Sequence, residues 1–142
     1  MRSVSVEGLK KTIREASTHP IVSCYPDTPL PELLFALEEH NFVLVVRKGD
    51  GHAVGLVARI DLVQAYVSDP EWADKTVSEI MTPKERLIWL PNSVNLAEAI
   101  KRMVDSDIHQ LVVHGPAEGG RHPIGVITLA DVIRELRTEI AT

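Results

Sequence analysis

The 142-residue chain has little cysteine, little basic charge and no long apolar run. Its one cysteine, Cys24, has no partner for an internal disulfide, which suits a reducing compartment. Lys and Arg number 15 against 20 Asp and Glu, a formal charge of −5, so the total lacks the positive footprint of a general nucleic-acid binder. The longest apolar run, Phe42-Val43-Leu44-Val45-Val46, is far short of the roughly 20 residues that cross a bilayer. Met1 to Lys11 holds no apolar core of the signal-peptide type. These absences point to a soluble cytoplasmic protein with neither nucleic acid nor membrane as partner. Apolar residues at 44% and charged residues at 25% are ordinary globular proportions, which excludes wholesale disorder, collagen and coiled coil. A chain of this length buries enough surface to fold without disulfide or metal.

What is there is a repeat. Pro26-Asp27-Thr28-Pro29-Leu30 resembles Pro91-Asn92-Ser93-Val94-Asn95-Leu96. At an offset of 66, Leu33, Leu34 and Leu37 meet Ala99, Ile100 and Met103, and Val45-Val46 meets Leu111-Val112. At an offset of 70, Gly55-Leu56-Val57 meets Gly125-Val126-Ile127, and Asp61-Leu62-Val63 meets Asp131-Val132-Ile133. The drift falls on a loop, short at Lys48–His52 and longer at Gly115–Gly120.

Each repeat predicts the order β-α-β-β-α. Strands are expected at Ile21–Cys24, Phe42–Val46 and Val54–Val57, and again at Leu87–Trp89, His109–Val113 and Ile124–Ile127. The first helix of each carries Leu30, Leu33, Leu34 and Leu37, or Leu96, Ala99, Ile100 and Met103 behind an Asn95 N-cap. The last helix carries Leu62, Val63 and Tyr66, or Val132, Ile133 and Leu136. Gly49-Asp50-Gly51 is a hairpin turn, and Thr76-Val77-Ser78-Glu79 a capping box. Val6 to Ala16 suggests an extra amphipathic helix with Leu9 and Ile13 on one side and Lys10, Lys11 and Arg14 on the other. The expected fold class is mixed α/β (α+β). An N-terminal helix spans 1–17, and two repeats, 18–75 and 76–142, pack about a pseudo-two-fold axis with a cleft on each side.

The sharpest local feature is Gly125-Val126-Ile127-Thr128-Leu129-Ala130-Asp131, a strand running straight into a helix. Unpaired N–H groups at a helix start suit an anion, a threonine hydroxyl can donate to a ligand oxygen, and a carboxylate can hold both hydroxyls of a ribose. A simpler alternative is that Thr128 caps the helix and Asp131 favours its dipole. The feature recurs as Gly55-Leu56-Val57-Ala58-Arg59-Ile60-Asp61.

With Ile80-Met81-Thr82 opening the second unit, this ordered set, seen twice over residues 18–140, resembles a tandem pair of cystathionine-β-synthase (CBS) domains, a Bateman module. The resemblance implies a regulatory module that binds an adenosine-containing ligand such as AMP, ADP, ATP or S-adenosylmethionine. It also implies a homodimer acting on a separate regulated protein. Thr128 would contact phosphate or ribose, and Asp131 and Asp61 the ribose hydroxyls. Met81, Thr82 and Pro83, with the strand holding His109 and Gln110, would wall the base. Two departures stand out. Ala58 replaces the hydroxyl residue in repeat 1, and Gln110, matched with Leu44 in repeat 1, stands where phosphate-binding members often carry Arg. Arg59, Lys84, His109, His114 and Arg134 are the cations that could replace it.

Other constellations are weaker. Gly49, Gly51 and Gly55 do not make a dinucleotide fingerprint, His109 and His114 fall on opposite faces of a strand, and Trp72 and Trp89 fit packing roles. With no nucleophile–base pair and no zinc spacing, neither an enzyme nor a metal protein is expected. The alternative to ligand sensing is a degenerate pair used for protein interaction or inhibition without nucleotide binding.

Overall fold

The computed structural model describes residues 11–13, 15, 21–115 and 123–141. They form two compact units, one of Ile21–Leu87 and one of the described residues before 21 together with those from Ile88 onward.

In the first unit, β1 (Ser23–Cys24) leads through a 3-10 turn (Leu30–Leu33) into α1 (Leu34–Glu39). The hairpin β2 (Phe42–Val46) and β3 (Ala53–Ala58) follows, then α2 (Arg59–Ser68) and the short β4 (Thr82–Pro83). The sheet order is β1-β2-β3-β4. β1 runs parallel to β2, which requires the helical crossover between them, and the other pairs are antiparallel. Val43 and Val45 lie two apart, so both face the helices and pack with Leu30, Leu33, Leu37, Val57, Leu62, Ala65 and Val77.

The hairpin turn forms where the glycines predict it. Gly51 has φ +71°, and Asp50 accepts from Arg47 Nη2 at 2.6 Å and from the His52 N–H at 3.0 Å.

The second unit repeats the plan with β5 (Trp89–Pro91), α3 (Leu96–Asp105), β6 (Gln110–His114), β7 (Pro123–Thr128) and α4 (Leu129–Ala141), in sheet order β5-β6-β7. Its core gathers Leu90, Ala99, Met103, Leu111, Val113, Ile127 and Val132, with Ile13 fully buried among them. Asn95 caps α3 as expected, its Oδ1 accepting from the Glu98 N–H at 2.8 Å. The fold class is therefore the expected mixed α and β, with two small sheets and four α-helices among the described residues.

Several details differ from the sequence reading. The first strand of each repeat is shorter or later than expected, Ser23–Cys24 and Trp89–Pro91. Leu34, Val63, Tyr66 and Ile133, expected on the buried faces, are exposed. Leu30 and Leu33 are aligned by the three-residue period of a 3-10 turn, which leaves Leu34 on the outside. Ile80–Pro83, read as opening the second repeat, adds its strand to the sheet of the first compact unit, where Gly55 pairs with Pro83 and Leu56 with Thr82.

The extra helix at Val6–Ala16 falls largely outside the described residues. Its described part is not helical. Thr12 bridges to Asn95, the Ile13 N–H donates to the Val94 carbonyl, and Leu96 N–H donates to the Lys11 carbonyl. The segment at 75–79 does the same in the first unit. There Thr76 bridges to Pro29, Val77 N–H donates to the Thr28 carbonyl, and Leu30 N–H donates to the Lys75 carbonyl. Both segments read Thr-x-x-Glu, with Glu79 accepting from the Thr76 N–H at 2.6 Å and Glu15 from the Thr12 hydroxyl at 3.1 Å. Lys11 adds a 2.7 Å ion pair to the largely buried Glu135 on α4.

Candidate functional site

In the second unit the strand β7 hands over to α4 at Thr128, which is buried. Asp131, three residues on, is 1% exposed. Its Oδ2 accepts from the Thr128 N–H at 2.8 Å and from the Thr128 hydroxyl at 3.1 Å, and its own N–H donates to Thr128 Oγ1 at 3.3 Å. This is a reciprocal cap of the helix start. Its Oδ1 accepts from Arg134 Nη2 at 2.6 Å, one helical turn further on. Thr128 and Asp131 are thus brought together as the sequence suggests, with Arg134 as a third member.

In the first unit Ala58 and Asp61 hold the same places. Asp61 Oδ2 accepts from the Ala58 N–H at 2.8 Å, which keeps half of the cap, and Ala58 offers no hydroxyl for the other half. Asp61 is half-buried and lines a cavity of about 230 Å³ with Gln64, Ala65, Ser68, Lys75 and Ile80. Gln64 is the counterpart of Arg134. Lys75 is engaged by Asp69 at 3.0 Å.

The remaining candidates divide. Met81-Thr82-Pro83 lies along β3, so close that a Cβ on Gly55 would stand 2.5 Å from Met81 Sδ and 2.8 Å from the Thr82 carbonyl oxygen. That approach explains the glycine opening this copy of the motif. Arg59 points elsewhere: its Nε donates to the Leu37 carbonyl at 2.6 Å and its Nη2 to the Glu38 carbonyl at 2.9 Å, at the end of α1. His109 has an exposed side chain, and its carbonyl accepts from the first N–H of α4 at 3.2 Å. Gln110 is half-buried and pairs with Thr128 across the hairpin. By that register its counterpart in the first unit is Phe42, opposite Ala58, and not Leu44. His114 Nδ1 lies 2.7 Å from the Gly115 carbonyl oxygen.

Desolvation pushes the half-buried Cys24 thiol up to about 11, so it is a weak nucleophile at neutral pH. Among the described residues no three His, Cys, Asp or Glu side chains cluster as a metal site would need. No helix among them is long and apolar enough to cross a membrane.

Two strand–helix junctions of one design, in two units of one plan, are the pattern of a known family. The CBS domain profile matches this chain twice, at residues 13–68 and 77–138. The chain belongs to the CBS-domain family. The first match begins at Ile13, in the segment that closes the second unit's core. Among curated proteins, a mitochondrial CBS domain-containing protein of Arabidopsis thaliana, CBSX3, is 22% identical over 136 residues. The match covers 93% of this chain and 64% of that relative's length.

Solved structures agree on the fold. The CBS domain of a bacterial CNNM/CorC family Mg2+ transporter, in complex with ATP, has a TM-score of 0.74 and 25% identity, covering 93% of this chain and 91% of that one. The CBS domain pair of protein MJ0100, in complex with 5′-methylthioadenosine and S-adenosyl-L-methionine, has a TM-score of 0.76 and 19% identity, covering 92% and 98%. An uncharacterized conserved protein from Pyrococcus horikoshii has a TM-score of 0.75 and 24% identity, covering 91% and 94%.

Proposed function

We propose that this CBS pair is a regulatory module that binds an adenosine-containing ligand (AMP, ADP, ATP or S-adenosylmethionine) and transmits its occupancy to a separate protein. The observation that carries this reading is the paired strand–helix junction, with Asp131 and Asp61 at the same helical position of the two units. Each carboxylate sits in the first turn of a helix, beside backbone N–H groups. The ligands in the ATP-bound and S-adenosylmethionine-bound relatives are of the same adenosine class. No catalytic step is assigned to the chain, and a cytoplasmic location remains part of the proposal.

A homodimer is the proposed assembly. Phe35 on α1, Val67 on α2 and Ile133 on α4 are 75%, 77% and 65% exposed, apolar side chains that a second copy would cover. An interface burying about 1,000 Å² or more is expected, and light scattering at high micromolar concentration reads it. A mass equal to one 15.7 kDa chain would count against it.

A thermal-shift panel of AMP, ADP, ATP and S-adenosylmethionine tests the ligand. A compound that binds only the folded state stabilises it by mass action, by about 2.7 kcal/mol at a hundredfold excess over Kd, and so raises the midpoint. Silence across the panel would favour the second reading, an interaction or inhibitory module without nucleotide. Two observations support that alternative: Ala58 lacks a hydroxyl, and Gln110 brings no charge to the Thr128 junction.

A further inference from the structure

Lys11 and Lys75 hold the same place in the two units. The Lys11 carbonyl accepts from the Leu96 N–H at the start of α3, and the Lys75 carbonyl from the Leu30 N–H at the start of the 3-10 turn. Their side chains meet different surroundings. Lys11 Nζ donates to Glu135 Oε2 at 2.7 Å, and that carboxylate is largely buried. Glu135 follows Arg134, whose Nη2 donates to Asp131 Oδ1 at 2.6 Å. Consecutive residues of α4 thus set a cation beside the motif aspartate and a carboxylate beside the lysine. The first unit has Gln64 and Ala65 at those two places. The cavity of about 230 Å³ lies there, lined by Asp61, Gln64, Ala65, Ser68, Lys75 and Ile80. Asp61 Oδ2 accepts from the Ala58 N–H, and its Oδ1 takes no hydrogen bond from any described residue. Lys75 reaches Asp69 at 3.0 Å, in a pair whose side chains are 35% and 29% exposed.

We infer that this cavity takes the headgroup of an α-amino acid, with its ammonium on Asp61 and its carboxylate on Lys75. The ligand supplies in the first unit the two charges that Arg134 and Glu135 supply in the second. Free amino acids and the amino-acid end of S-adenosylmethionine both carry this headgroup. The inference rests on the adenosine reading above where it names S-adenosylmethionine, and it gives Asp61 an ammonium in place of the ribose hydroxyls that the resemblance implies.

Charge separates the ligand classes. Two carboxylates, Asp61 and Asp69, against one ammonium, Lys75, give the site a net charge of −1. A zwitterion leaves that sum unchanged and sets each of its ends by an opposite charge. A phosphate would bring about −2 to a site that already holds two carboxylates and one ammonium. A simple amine would meet Lys75, and a simple carboxylate would meet Asp61. A neutral sugar would satisfy Asp61 and make no use of Lys75. The lysine need not abandon Asp69, because an ammonium has three donors. An ion pair this exposed is also worth little, and Asp69 keeps its bond from the Glu71 N–H at 2.8 Å. The cavity is smaller than the roughly 300–1,000 Å³ of whole-ligand pockets, which suits one end of a ligand. Ala65 and Ile80 add apolar lining for the carbon chain next to the headgroup.

The experiment is calorimetry on the full chain with four probes. S-adenosylhomocysteine and 5′-methylthioadenosine share a thioether-bearing adenosine and differ by the headgroup. Methionine carries the headgroup without the nucleoside, and AMP carries the nucleoside without the headgroup. S-adenosylhomocysteine should bind more tightly than 5′-methylthioadenosine by about tenfold or more, the gain expected of charge-assisted bonds. Lys75→Met and Gln64→Arg change side chains that reach solvent, and each should bring the two affinities within about threefold of one another. The first removes the carboxylate's partner, and the second puts a guanidinium where the ammonium sits. Methionine binding that Lys75→Met abolishes, with no nucleoside bound, would uphold the headgroup site with a free amino acid as its ligand and overturn the adenosine reading. Equal affinities for the two thioethers in the parent, binding of AMP alone, or a preference that either variant retains would overturn the headgroup site and leave the adenosine reading standing. No binding of any of the four probes would overturn both.

Discussion

Gly55 lies against Met81 so closely that a Cβ added to the glycine would stand 2.5 Å from the methionine sulfur. The Thr82 carbonyl oxygen would be 2.8 Å away, and it is fixed by the β3–β4 ladder. Gly55→Ala should therefore cost about 1–3 kcal/mol by overpacking, only partly offset by the ~0.4–1 kcal/mol that a stiffer unfolded chain returns. In thermal melts that is roughly 2–4 °C for each kcal/mol. Met81→Ala in the same chain should recover part of the loss, since it removes the flexible contact and leaves the backbone one. A Gly55→Ala midpoint equal to the parent's would show that β4 does not hold this approach.

Arg59 was a candidate ligand residue by its place in the motif, yet its guanidinium spans the Leu37 and Glu38 carbonyls at the end of α1. Those carbonyls lack helical partners, and a cation there also complements the helix dipole. Arg59→Ala should lower the stability of ligand-free protein by about 1 kcal/mol, a figure kept small because the side chain is exposed. Denaturant titration without any nucleotide is the measurement. A ligand-free stability equal to that of the parent would remove the capping role.

Much of this was legible in the sequence because the repeat supplies each element twice. β2, β3, β6 and β7 follow from apolar runs flanked by turn residues, and Asn95 from its place before Leu96. What stayed hidden has physical reasons. Leu9 and Ile13 have helical spacing, but only Ile13's place is described, and it is set by a strand-like backbone bond to Val94 beside the Thr12–Asn95 bridge. Thr12 and Thr76, 64 residues apart, carry the signal that would have found this, but the offset differs from the 66 and 70 seen elsewhere. The contact between Arg134 and Asp131 depends on rotamers. A helical spacing of three allows such a pair without requiring it.

Asp50 is the group with the clearest acid response. The Arg47 side chain first, and then the His52 N–H, hold its carboxyl down at about 2 from the usual 3.8. Asp69 is lowered in the same direction, chiefly by the Glu71 N–H and then by Lys75. A carboxyl depressed in the folded state favours folding above the unfolded value. That contribution fades as pH falls from about 4 toward 2. Carboxyl NMR should follow Asp50 to a midpoint near 2, and Arg47→Ala should move it up toward 3.8. A midpoint near 3.8 in the parent would show that the turn is not held by this pair.

The two motif aspartates should differ in ligand-free stability. Asp131 is 1% exposed, and its donors include the Thr128 N–H, the Thr128 hydroxyl and Arg134. Replacing it with alanine leaves buried Thr128 donors without their acceptor, at about 1–3 kcal/mol. The 3–5 kcal/mol of a broken buried ion pair does not apply in full, because Arg134 is 37% exposed and so partly solvated already. Asp61 is half-buried and accepts one bond, from the Ala58 N–H, so Asp61→Ala should cost about 1 kcal/mol, the usual loss of a helix cap. Both changes also remove a charge from a helix start, a shared loss of about 0.3–1 kcal/mol that cancels in the comparison. Chemical denaturation of Asp131→Ala and Asp61→Ala without nucleotide should therefore rank Asp131 as the larger loss, by about 1 kcal/mol. Arg134→Ala, which leaves the Thr128 bonds in place, should cost less than Asp131→Ala. Equal losses at the two aspartates would mean that the buried network around Thr128 adds nothing to the fold. A larger loss for Arg134→Ala than for Asp131→Ala would mean that the guanidinium, and not the carboxylate, organises the junction.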